Sequence, residues 1–91
     1  MSDSTALVLS DGETLKLICG VHDTNIRILD ELFGADVHVR GNELQLESGD
    51  QVAQRHFLTL MEELERHTRT GRSLNEPLIH TLYHDISDGG G

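Results

Sequence analysis

Residues 37–46 read Val-His-Val-Arg-Gly-Asn-Glu-Leu-Gln-Leu, and no other stretch of the chain restricts its fold as tightly. Val37 and Val39 alternate with His38 and Arg40; Leu44 and Leu46 alternate with Glu43, Gln45 and Glu47. Gly41 and Asn42 both tolerate positive φ and so form the tight turn between the two runs. The pattern predicts a β-hairpin with one apolar face. Two strands alone do not hold in water, so the remaining chain must supply a further strand and helices to cover that face.

The remaining elements follow from periodicity and punctuation. Thr5 to Leu9 is apolar and β-prone and predicts a short strand. Ser10 with Glu13 three residues on has the spacing of a capping box. It would open a helix from Asp11 to Cys19, with Leu15, Ile18 and Cys19 on one face and Gly20 as the left-handed stop. Leu15, Leu17 and Cys19 also alternate, which is the strand reading; the box and the terminal glycine favour helix. Asp23 or Thr24 opens a second helix through Ile26, Leu29 and Phe33, ended by Gly34. Asp50 caps the longest helix, Gln51 to about His67, whose Val52, Ala53, Phe57, Leu60, Met61 and Leu64 share a stripe and whose Glu62 and Arg66 form an i, i+4 pair. Asn75-Glu76-Pro77 starts a last helix that runs to about Ile86, and residues 89–91 read as a glycine tail. The expected fold is a single α+β domain, with a core at about 5–68. It is a two-layer sandwich in the order β-α-α-β-β-α with a three-stranded antiparallel sheet and an extra C-terminal helix.

Charge and composition narrow the chemistry. Seven basic residues against 16 acidic ones leave a net charge of -9, which repels phosphate over most of the surface. No apolar run approaches the length of a membrane span, and the start, Met-Ser-Asp-Ser, lacks the basic and apolar regions of a signal peptide, so a cytoplasmic bacterial domain with no membrane partner is expected. Cys19 is the sole cysteine and reads as a packed thiol, with no His-Asp arrangement beside it. His80 and His84 stand four apart, but Thr81 occupies the position a glutamate takes in H-E-x-x-H, so they read as a solvated face. Phe33, Phe57 and Tyr83 all fall on apolar stripes, which leaves no stacking platform. No constellation suggests catalysis, and the chain is read as non-enzymatic.

The element order, with Gly20-Val21-His22-Asp23 linking the first two helices, resembles the type I KH fold, in which a G-x-x-G loop clamps the backbone of single-stranded nucleic acid. More narrowly, Ile18 to Leu29 followed by Gly34 to Asn42, with its Arg40-Gly41-Asn42 turn, is similar to the N-terminal domain of PhoH-like, phosphate starvation-inducible ATPases. The resemblance covers residues 6 to about 86. It implies a P-loop ATPase beyond this segment. That missing domain would carry ATP and Mg and would be the first partner. Here Lys16 is the one lysine and no Gly-Lys pair exists, so no cofactor is expected in this chain.

The resemblance also implies weak RNA contact through Gly20, Val21, His22, Asp23, Asn25, Arg27, Arg40 and Asn42, with Lys16 and His38 completing a local positive patch. Asp23 replaces the second glycine of the loop and is expected to cap the second helix; Asn25 is expected to bond the Arg-Gly-Asn turn, a ligand or its own first turn. The alternative is a protein-interaction or oligomerisation module that has lost nucleic-acid contact, with the apolar stripe of the terminal helix packed back on the domain or left open for a second copy.

Overall fold

The computed structural model describes residues 4–9 and 11–89. Strand β1 (Thr5–Val8) leads to helix α1 (Gly12–Cys19), a 3-10 turn (Val21–Asp23) and helix α2 (Thr24–Phe33). Strands β2 (Asp36–Arg40) and β3 (Glu43–Glu47) form the hairpin, and helices α3 (Gln51–Arg69) and α4 (Glu76–Gly89) complete the chain. The sheet is antiparallel in the order β1-β3-β2, so the second hairpin strand is central. Register places Leu7 opposite Leu44, and Val37 and Val39 opposite Leu46 and Leu44, so all of them share the helix-covered face. The protein is the α+β two-layer sandwich that the patterning predicts, and Leu15, Ile18 and Cys19 are helical, not extended.

The core lies between the layers. Ile18, Leu29, Leu44, Leu46, Phe57, Leu60, Met61 and Leu64 are fully buried. Phe33 meets Phe57 edge-on at 5.6 Å and Tyr83 edge-on at 5.1 Å, so the three aromatics pin α2, α3 and α4 to one another. Helix α4 packs back on α3 and α2, with Ile79 fully buried. Asp30 Oδ1 accepts the Val37 amide at 2.6 Å and fixes the start of β2 against α2.

Several local expectations shift. The α1 cap is Asp11, whose Oδ1 accepts the Thr14 amide at 2.7 Å; the predicted Ser10 cap lies outside the described residues. Both residue types cap well, and the change moves the helix start by one position. Strand β1 stops at Val8 and α3 runs on to Arg69, while Val52, in the first turn of α3, is exposed and lies off its buried stripe. Asn75 caps α4 through the Leu78 amide at 2.9 Å, and that helix continues to Gly89; the rest of the tail lies outside the described residues. Arg66 pairs with Glu63, not Glu62, and Arg69 with Glu65 at 3.4 Å. No described helix is long and apolar enough to cross a membrane.

The Asp11 cap carries a pH dependence. Hydrogen bonding from Thr14, first the backbone amide, holds its carboxyl below the ordinary aspartate value. A carboxyl lowered in the folded state contributes stability above its unfolded pKa and loses it as pH falls through the folded one. Acid titration is therefore expected to loosen α1 at its N-terminus before the sheet yields. The check is amide exchange at Thr14, which Asp11→Ala should raise at neutral pH as well.

Candidate functional site

Helix α1 ends where its last carbonyls need partners. The Gly20 amide donates to the Lys16 carbonyl at 3.0 Å, and Asn25 Nδ2 donates to the Ile18 carbonyl at 3.0 Å. Asn25 thus reaches back from the first turn of α2 to close the end of α1, and it is 5% exposed. This is the structural first-turn role; the bond to the Arg-Gly-Asn turn does not form. Gly20 makes the closure possible. Its φ of 80° and ψ of 176° belong to a region that only glycine occupies freely, and a Cβ there would stand 2.9 Å from Asn25 Nδ2.

The chain then takes two left-handed residues in succession, His22 at φ 55° and Asp23 at φ 57°. Asp23 therefore keeps the conformation a second glycine would adopt, which aspartate tolerates better than most residues. The cost of that geometry is its cap: Asp23 occupies the position before α2 but its side chain accepts no capping bond. The expected N-cap is corrected accordingly, and Thr24 Oγ1 instead donates to the Val21 carbonyl. Asp23→Gly is expected to raise stability by about 0.5 kcal/mol, and Asp23→Val to lower it by about 1 kcal/mol or more, read from urea melts.

This turn forms the rim of an open groove of about 1010 Å3 between α1, α2, Val39 and residues 72–76. Leu15, Leu17, Val21, Ile28, Val39 and Leu74 give it an apolar lining. Leu17 is 54%, Val21 77% and Val39 41% exposed. Val39 is on the helix side of the sheet, as its alternation predicts, yet is open because the helix layer leaves the groove above it.

Two cations line the groove, Lys16 on α1 and Arg72 after α3, together with the acids Asp23 and Glu76. Among the described residues the side chain of neither Lys16 nor Arg72 has an ion pair or hydrogen bond, whereas those of Arg66 and Arg69 are paired along α3. Burial, and then the Asp23 charge, push the Cys19 thiol up, so this groove residue is a poor thiolate.

Of the residues singled out from the sequence, Gly20, Val21, Asp23 and Asn25 come together in the groove wall. His22 is exposed on the turn, Arg27 on α2, and neither lines the cavity. Arg40 and Asn42 sit at the hairpin end, where the Asn42 carbonyl accepts the Leu9 amide at 2.9 Å. His38 does not join Lys16 in a positive patch: it is on the uncovered sheet face, bonded to Gln45 at 2.9 Å and flanked by Asp36 and Glu47, each at 3.5 Å. His80 has Glu76 at 3.4 Å and His84 as ring neighbour, and no described group of three His, Cys, Asp or Glu residues converges on a metal position. Leu17, Val39, Arg72 and Leu74 escaped the sequence reading of the site. Leu17 alone left a signal, as an apolar residue off the buried stripe of α1. No protein-family model, curated protein or solved structure matches this chain.

Proposed function

We propose that this domain is a non-catalytic binding module that takes single-stranded RNA, weakly, along the groove beside the Gly20 turn. One observation carries this: in a chain with 16 acids and seven bases, two cations whose side chains have no partner among the described residues line one apolar groove. Lys16 and Arg72 would neutralise phosphates, the Gly20 turn would let the strand approach the backbone, and Leu17, Val21 and Val39 would meet bases. Among the described residues no aromatic side chain lines the groove, so affinity rests on charge and apolar contact, with Kd on the order of 10⁻⁴ M. Attachment to a PhoH-like ATPase would then tether that enzyme to RNA.

Fluorescence anisotropy with a labelled oligouridylate tests this. With two phosphate contacts, log K should fall with log salt at a slope of about −1.4. The double variant K16A/R72A should lose binding and most of that slope, and Asp23→Asn should tighten it. A slope unchanged in K16A/R72A would contradict the assignment.

A specific observation favours a second reading, a protein-interaction module without nucleic-acid contact. Asp23 and Glu76 share the groove with the two cations, a balance that suits a peptide better than a polyanion.

A further inference from the structure

The sheet has two free edges, and they differ. Along β2 the uncovered face carries Asp36, His38 and Arg40, charged or polar groups of the kind that keep an edge from pairing with another chain. Along β1 the sequence Ser4 to Leu9 reads Ser-Thr-Ala-Leu-Val-Leu, with no charge and no proline. Ala6 is exposed and Val8 is 65% exposed, while α3 reaches β1 from the helix side, where Leu9 is buried.

The ladder fixes which backbone groups face outward. The Leu9 amide donates to the Asn42 carbonyl, one step beyond the pair Val8 and Glu43. In an antiparallel pair the bonded positions alternate, so Thr5, Leu7 and Leu9 point their amides and carbonyls at β3. Those of Ala6 and Val8 point away from the sheet, and among the described residues no strand pairs with that side of β1.

We propose that β1 is a self-pairing edge through which two copies of this chain form a continuous six-stranded antiparallel sheet. Leu7 would lie opposite the partner's Leu7 on the dyad. Ala6 and Val8 would exchange backbone bonds with the partner's Val8 and Ala6, and the two exposed Val8 side chains would each cover the opposite Ala6. Two arguments select a second copy as the occupant. The short segment is self-complementary under a two-fold axis in this register. It is also a charge-free line on a protein of net charge -9, where like-charged copies meet with least repulsion. The shared strand is short, so the dimer is weak and salt assists it by screening that charge.

Sedimentation velocity on the whole chain decides the matter, run at up to about 1 mM protein and at both low and high salt. The expected result is a monomer–dimer equilibrium whose association constant rises at least about threefold from low salt to about 0.5 M. Val8→Lys should leave a monomer throughout with an unchanged far-ultraviolet spectrum. Val8→Pro should do the same, since the amide it removes faces outward and makes no bond within the monomer. If Val8→Pro does not fold, Val8→Lys decides alone. K16A/R72A should dimerise like the parent at high salt, where its added net negative charge is screened, which separates this result from any failure of the RNA reading. A monomer under every condition overturns the proposal, as does a dimer that both Val8 variants preserve or that salt dissolves.

Discussion

Gly20→Ala is expected to cost about 2–4 kcal/mol, measured as the loss of unfolding free energy in urea. Roughly 1–3 kcal/mol comes from holding an L-residue at φ near +80° with extended ψ. About 1 kcal/mol more comes from displacing Asn25, whose amide nitrogen would lie 2.9 Å from the new Cβ. A domain of this size holds on the order of 5–10 kcal/mol in total, so the variant sits near the edge of folding. The double variant Gly20→Ala/Asn25→Ala separates the two contributions. It relieves the clash but keeps the strain, and it also leaves the Ile18 carbonyl without its Asn25 donor, so it should not return to parental stability. An alanine at position 20 that is tolerated without loss would mean that the turn does not have the described backbone.

Phe57→Ala is expected to be as damaging or more so, at about 3–5 kcal/mol. Phe57 is fully buried, and its ring meets the edge of Phe33, which in turn holds Tyr83. Removing it opens a cavity where α2 and α3 meet the sheet and takes away the contact that fixes Phe33. Helix α4 leans on Phe33 through Tyr83, so the loss should spread to the C-terminal helix and raise amide exchange there. Phe57→Leu retains most of the volume and should cost about 1.5 kcal/mol or less. Equal losses for the leucine and alanine variants would show that the ring contact, not the volume, dominates.

The parts of the fold that were legible in the sequence are those set by local periodicity. The hairpin was readable because alternation and a Gly-Asn turn point to the same geometry. Helices α2 and α3 were readable because their stripes are long and Gly34 and Asp50 punctuate them. The site was legible only in part. Gly20 announced a break, but sequence carries no record of φ at the next residues. Asp23 was therefore expected to cap α2, whereas its left-handed backbone goes with a side chain that makes no cap. Asn25 stands out in the sequence as a contact for the Arg-Gly-Asn turn, a ligand or the first turn of α2; its partner is the Ile18 carbonyl, seven residues back and on another helix. The groove itself lies between α1 and the segment after α3, more than fifty residues apart in the chain. Its depth depends on where α3 stops relative to α1, which no local pattern encodes. For that reason nothing local marks Arg72 and Leu74 as groove residues, and the alternation of Val39 reads as core. His38 does not join the positive patch expected at the Gly20–Asp23 loop for a related reason: strand alternation turns position 38 to the face opposite the groove, among Asp36, Gln45 and Glu47.

The groove beside the Gly20 turn is the proposed seat of single-stranded RNA. Amide shifts of isotope-labelled protein, followed as oligouridylate is added at low salt to about 1 mM, test it most directly. Shifts confined to Lys16–Asn25, Val39 and Arg72–Glu76, reversed by added salt, are the predicted result. A spectrum unmoved at that concentration, or shifts confined to the uncovered sheet face around His38, would contradict it.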